Sequence, residues 1–165
     1  MRSFTAAIAV IAVAVAACSS DATSSGSAGP SSGDAALDDA RQYNLDRINA
    51  YRAMNGAPAL KLDAALNDFA QAGSVELSQD HAPHAHFKAS YATCNCSVNA
   101  ENQGDPNGWT VAPIHDQIDQ ILQLMMSEGP GGGHHDNIVN PQWKRLGVGI
   151  VNPGAKLYFT NDFGP

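Results

Sequence analysis

The sequence predicts a layered α/β domain. Three stretches with apolar residues at helical spacing come first, and two β-favouring runs around a turn come last. Between the second and third helical stretches lies a long aperiodic segment with room for one further strand.

The chain has 165 residues, and its first 36 differ in character from the rest. Met1, Arg2 and Ser3 form a short positive start, and Phe4 to Ala17 is apolar and uncharged. That run is too short to span a bilayer comfortably and has the form of a signal-peptide core over residues 1–17. It ends Val15-Ala16-Ala17-Cys18, which resembles a lipobox. The resemblance implies cleavage before Cys18 and diacylglycerol on its sulfur. Ser19 to Ala36 is almost entirely Ser, Gly, Ala, Asp and Thr, and cannot bury enough apolar surface to fold. Residues 18–36 therefore read as the lipidated cysteine and a flexible tether spanning about 20–25 Å.

Residues 37–165 read as one domain, large enough for its own core. Leu37, Ala40, Leu45, Ile48 and Tyr51 follow one helix face, which Gly56 and Pro58 end. Asp63 is an N-cap for a second helix carrying Leu66, Phe69, Ala70, Gly73 and Leu77, which runs out near Asp80. His81 to Gly108 reads as an extended loop holding one short strand. Pro113 suits the first turn of a third helix with Ile114, Ile118, Ile121, Leu122 and Met125 on its stripe. Gly129 to Gly133 ends it, and a short helical turn follows over His134 to Val139. Leu146–Val151 and Lys156–Phe163 read as strands, joined through Asn152-Pro153-Gly154-Ala155 into an antiparallel hairpin.

Nine basic and sixteen acidic residues give a net charge of −7. With no basic run in the domain, nucleic acid is excluded as an expected partner. Charge does not draw such a chain to an anionic membrane either, so the lipid on Cys18 is the expected attachment. Cys94 and Cys96 are the other two cysteines. In an oxidising compartment a local disulfide is the favoured reading, since two thiolates alone make no closed zinc site.

All six histidines lie between His81 and His135. His81, His84 and His86 cluster after the second helix, His115 is early on the third, and His134 and His135 follow the glycine loop. Glu101 and Glu128 are the nearby glutamates. Imidazole and carboxylate together suit a divalent ion or acid–base work near neutral pH. The bland alternative is that these are solvated loop side chains and helix ends. There is no His-Glu-x-x-His, no Gly-x-Ser-x-Gly, no phosphate loop and no Gly-x-Gly-x-x-Gly after a strand.

The order of short motifs adds a further reading. Leu45-Asp46-Arg47-Ile48-Asn49-Ala50-Tyr51-Arg52 precedes Gly56-Ala57-Pro58, then Leu62-Asp63 and Ala100-Glu101-Asn102. Gly133-His134-His135-Asp136-Asn137-Ile138, Leu146-Gly147-Val148-Gly149 and Tyr158-Phe159-Thr160-Asn161-Asp162-Phe163-Gly164 complete the series. Over residues 41–164 this resembles the CAP superfamily of cysteine-rich secretory, antigen 5 and pathogenesis-related proteins, in its bacterial SCP-domain branch. The resemblance implies a three-layer α-β-α sandwich with a small antiparallel sheet, and a cleft lined by two His and two Glu. By position these are Glu101, Glu128, His134, and one of His84 and His86, with His86 preferred because Phe87 follows it. Asn102 and Asn137 would support the cleft. Met125 and Leu62 stand where the family commonly has Trp, and the disulfides of eukaryotic members are missing.

Three functions follow as expectations. The favoured one is a non-catalytic, monomeric binding module at the cell envelope, on the outer membrane or cell surface, holding a divalent cation (zinc first) or a small lipid ligand. The second is a metal-dependent hydrolase or peptidase, with a glutamate as base beside metal-bound water. The third is a structural or adhesion protein whose cleft is idle.

Overall fold

The computed structural model describes residues 32–152 and 155–165, with side chains from residue 35 onward. The signal segment, Cys18 and most of the tether lie outside the described residues, as do Pro153 and Gly154 of the expected turn.

Helix α1 spans Ser32–Met54 and so begins inside the stretch read as tether. Ala35 and Ala36 are strong helix formers, and a reading based on low hydrophobicity passes over that propensity. The expected face of α1 is turned inward: Ala40, Leu45 and Ile48 are buried, with Leu37 and Tyr51 packed at its margin. Strand β1, Lys61–Leu62, leads into helix α2, Ala64–Asp80. Asp63 caps α2 as expected, its carboxylate accepting from the Leu66 N–H at 3.0 Å. That bond, joined by the Arg145 guanidinium at 3.1 Å, holds the Asp63 carboxyl below its ordinary range.

The segment expected as loop with one strand holds both a short helix α3, Ala85–Ser90, and strand β2, Ala100–Gly104. Helix α4, Ile114–Ser127, follows Pro113, and helix α5, Gly133–Val139, follows the glycine loop. Strands β3, Arg145–Val151, and β4, Tyr158–Gly164, form the expected antiparallel hairpin.

The sheet order is β1-β3-β4-β2. It is not wholly antiparallel as expected, because β1 runs parallel to β3, pairing Lys61 with Arg145 and Leu62 with Leu146. Two residues carry no readable period, so β1 left no signal in the sequence. Helices α2 and α3 cover one face of the sheet, while α1, α4 and α5 cover the other. This is the three-layer α-β-α arrangement. The larger core lies on the second side, where Leu146, Val148, Phe159 and Phe163 meet Ile48, Ile118, Leu122 and Ile138.

The first side is tighter. A Cβ on Gly147 would lie 2.2 Å from the Leu66 carbonyl oxygen, and one on Gly149 2.0 Å from that of Ala70. Helix α2 thus rests directly on the backbone of β3, which only glycine permits. Beyond β1, the edge of β3 is closed by side chains. Val148 donates to Asn67 Oδ1 and accepts from Arg41 Nε, and Ile150 exchanges two bonds with the Gln71 amide. Arg52 is fully buried and donates to the carbonyls of Pro58, Ile138, Asn140 and Trp143. These bonds tie α1 to the end of α5 and to the turn before β3. Burial alone lowers the guanidinium's pKa from its usual value.

Candidate functional site

Strand β2 is an edge strand, and its outer side opens between α3 and the α4–α5 turn. Its side chains alternate between the two helical layers, so successive residues build opposite walls of one cleft.

Glu101 belongs to the wall made with α3. Its Oε1 lies 2.8 Å from His84 Nδ1. His84 has a left-handed backbone, φ 64°, immediately before α3. Its N–H donates to Gln103 Oε1 at 2.6 Å. Gln103 in turn donates to Thr160 Oγ1 at 3.1 Å, and Ser74 of α2 donates to the same oxygen at 2.8 Å. Two residues of β2 therefore fix one histidine, through its ring and through its backbone.

Glu128 follows α4 and makes the other wall. Its Oε2 accepts the His134 N–H at 3.0 Å, and its Oε1 bonds His134 Nδ1. The Glu128 carboxyl titrates below its ordinary value. Its partial burial works the other way, but the two bonds from His134 and that residue's charge outweigh it. A Cβ on Gly132 would lie 2.4 Å from Glu128 Cβ, so the turn closes on this pair only with glycine there. Asn102 and Asn137 link the walls. Asn102 Nδ2 donates to the His134 carbonyl at 2.9 Å, and Asn137 Nδ2 donates to Asn102 Oδ1 at 2.9 Å and to the Glu101 carbonyl at 3.3 Å.

His84, Glu101, Glu128, His134 and Asn137 thus line a common recess of about 200 Å³. His86, the histidine preferred from the sequence, does not. Its ring lies against Phe69, centroids 4.7 Å apart, and its Nδ1 bonds Glu76 at 3.1 Å. His84 takes a left-handed backbone just before α3 and bonds β2, whereas His86 lies within α3 and bonds α2. The other three histidines are also elsewhere. His81 pairs with the Tyr158 hydroxyl, His115 stacks on Tyr43 and bonds Asp39, and His135 is buried beside Asp136.

Among the described residues, no group of three or more His, Cys, Asp or Glu is placed to hold a metal. Each cleft glutamate is engaged on the Nδ1 of its own histidine. The Nε2 atoms of His84 and His134 carry no hydrogen bond among the described residues. This leaves a donor set of two Nε2 atoms, with the carboxylates fixing ring orientation and tautomer. It does not suit a closed four-ligand zinc site.

A groove of about 360 Å³ leads away from the histidines, walled by Trp109, Ile121, Leu124 and Met125. Gly104 lets Trp109 lie across the end of β2, since a Cβ there would sit 2.8 Å from the indole. The aromatic beside Gly108 in an otherwise polar stretch was the available signal for this wall.

Sequence reasoning also missed Asp162. It stands on β4 directly opposite Glu101 and Gly147, fully buried, and neither carboxylate oxygen has a hydrogen-bond partner among the described residues. Glu101 Oε2 is likewise unpartnered among them. Burial pushes the Asp162 carboxyl up to about 9, and the neighbouring Glu101 charge adds to the rise. At neutral pH Asp162 is a neutral acid. Adjacent polar residues Asn161 and Asp162 in a strand covered on both faces were the clue.

Cys94 and Cys96 form a disulfide in the loop between α3 and β2. No helix among the described residues is long and apolar enough to cross a membrane.

Comparison with known proteins agrees with this architecture. An extracellular SCP-domain protein of Bacillus anthracis str. Ames superposes with a TM-score of 0.59 at 20% identity, covering 83% of this chain and 45% of that one. The chain therefore spans less than half of that relative's length. An outer surface protein of Borrelia burgdorferi gives 0.59 at 14% identity, covering 76% of this chain and 92% of that one. NaASP2, solved with Zn²⁺, gives 0.55 at 16% identity, covering 76% and 79%. Among curated proteins no sequence matches significantly. The profile of the cysteine-rich secretory protein family matches residues 45–163, most of the chain and every element that builds the cleft, and the chain belongs to this CAP family.

Proposed function

We propose that this CAP domain is a non-catalytic binding module, displayed outside the cell, whose cleft takes a small amphipathic lipid with its polar end at His84 and His134. The observation that carries this reading is the continuity of the apolar groove with the paired histidines, both of which line it. Burying an acyl chain against Trp109, Leu124 and Met125 supplies affinity, at about 25 cal/mol per Å² of apolar surface. The imidazoles supply the polar contact. Extracellular placement is supported by the relatives described as extracellular and outer-surface proteins. Attachment through lipid on Cys18 belongs to the same proposal.

A divalent cation is the second candidate ligand, which His84 and His134 would hold through their Nε2 atoms. The structural relative solved with Zn²⁺ supports trying zinc first. A hydrolytic role is disfavoured by chemistry. The walls of the recess and groove carry no Ser, Thr or Cys to act as a nucleophile, which leaves water as the only attacking group and the Nε2 atoms of His84 and His134 as its bases.

The test is titration with a fluorescent long-chain fatty acid, and separately with zinc by calorimetry. The fatty acid saturates one site in the parent and weakens at least tenfold in Leu124→Asp, which lies at the half-exposed rim of the groove. Zinc binding is lost in His84→Ala and His134→Ala, and the fatty acid binds both variants more weakly than the parent. Equal fatty-acid binding in parent and Leu124→Asp sinks the lipid reading. Equal zinc uptake in all proteins places the ion elsewhere.

A further inference from the structure

The Cys94–Cys96 bond encloses a single residue, Asn95. A cross-link stabilises a fold chiefly by the chain entropy it removes from the unfolded state, and that gain shrinks with the loop it closes. This bridge closes the shortest loop but one. The segment is also held without it. Tyr91 N–H donates to the Phe87 carbonyl at 2.9 Å, Thr93 N–H to that of Ser90 at 3.0 Å, and Asn99 N–H to that of Phe163 at 2.8 Å. Arg145 reaches the carbonyls of Cys96 and Ser97, and Val98 is buried.

The bridge sits in a costly backbone. Asn95 and Ser97 both have left-handed φ, 53° and 54°, which residues other than glycine seldom adopt. The two cysteines also differ in exposure. Cys96 is buried at 4% exposure, whereas Cys94 is half-buried between exposed neighbours, Thr93 and Asn95. The Cys96 N–H points at Cys94 Sγ at 3.2 Å, a donor placed to stabilise negative charge on that sulfur.

We propose that Cys94–Cys96 is a thiol–disulfide exchange site, opened by attack of a small-molecule thiolate on Cys94, and not a structural staple. In the first step the thiolate sulfur bonds to Cys94 Sγ as the Cys94–Cys96 bond breaks. Cys96 leaves with the electron pair and takes a proton from water. A second thiolate then attacks the small-molecule sulfur of the mixed disulfide. It releases Cys94 as a thiolate held by the Cys96 N–H and forms the oxidised small-molecule disulfide. Two thiols are oxidised and one protein disulfide is reduced. The site lies within the segment joining His84 to Glu101.

The experiment equilibrates the full folded chain with reduced and oxidised glutathione at varied ratio, quenches in acid, alkylates, and maps peptides by mass. Mapping separates Cys18 from the pair. The bond opens in native buffer with unchanged far-UV circular dichroism, and the glutathione adduct appears on Cys94. With oxidised glutathione, Cys96→Ser, which keeps the more exposed cysteine, forms its adduct at least tenfold faster than Cys94→Ser, which keeps the buried one. Opening only in denaturant, an adduct on Cys96, or equal rates in the two variants overturns the proposal.

Discussion

Replacing Asp162 by Asn removes a proton that the fold must hold in place. The buried carboxyl titrates at about 9, against about 3.9 in an unfolded chain. A raised carboxyl favours the folded state fully only below its unfolded pKa, and that contribution is lost as pH rises towards the folded value. Between those limits each pH unit costs about 1.4 kcal/mol, so by pH 7 the accumulated penalty is about 4 kcal/mol. Asp162→Asn keeps the shape, has no proton to hold, and offers its amide to the unpartnered Glu101 Oε2 across the strand pair. Urea unfolding at pH 5, 7 and 8 measures the difference. The variant is more stable by about 1–2 kcal/mol at pH 5, and the gap widens towards 4 kcal/mol by pH 7. A gap that does not change with pH, or a variant less stable than the parent at pH 7, refutes the assignment of Asp162 as a neutral buried acid.

Asp63 gives the opposite pH dependence, because its carboxyl is depressed by the cap bond to Leu66 and by Arg145. Asp63→Ala costs about 1–2 kcal/mol in urea unfolding at pH 7, and the difference shrinks as pH falls through the carboxyl's lowered titration range. Gly149→Ala drives a methyl to 2.0 Å from the Ala70 carbonyl oxygen and costs about 3 kcal/mol or more, read as a drop in denaturation midpoint. Arg52→Met strands four carbonyls, those of Ile138 and Trp143 in buried bonds, and costs about 3 kcal/mol; retention of parental thermal stability would contradict the role given to that guanidinium.

Elements with several turns or alternations were legible in the sequence because burial repeats along them. The stripe of Ile118, Ile121, Leu122 and Met125 announced α4, and Asp63 announced the start of α2. Strand β1 and helix α3 were too short to repeat anything. Of the cleft, Glu101, Glu128 and His134 could be carried over by position because each sits in a motif adjoining a regular element. The choice between His84 and His86 could not be made that way. His84 takes a left-handed backbone before α3 and His86 lies within it, in different surroundings. The role of the glutamates was also beyond sequence: spacing gives a carboxylate near an imidazole, but only geometry shows that each is spent on Nδ1. Asp162 was hidden because its burial comes from α2, which lies on its strand neighbour Gly147, and a strand's own pattern does not record that.

The side-chain closure of the β3 edge bears on how the protein behaves in company. A strand with bare amides recruits other strands, and proteins with open edges aggregate through them. Here Asn67 and Gln71 occupy the positions another strand would use, and both are carried by α2. Apart from Arg41 of α1, which covers the Val148 carbonyl, the guard and the helix are therefore one object. Solubility of the folded chain depends on α2 staying seated on Gly147 and Gly149, and any lesion that lifts the helix exposes an adhesive edge in the same motion. Variants such as Gly149→Ala should then betray themselves in concentrated solution by self-association well before the rest of the domain melts.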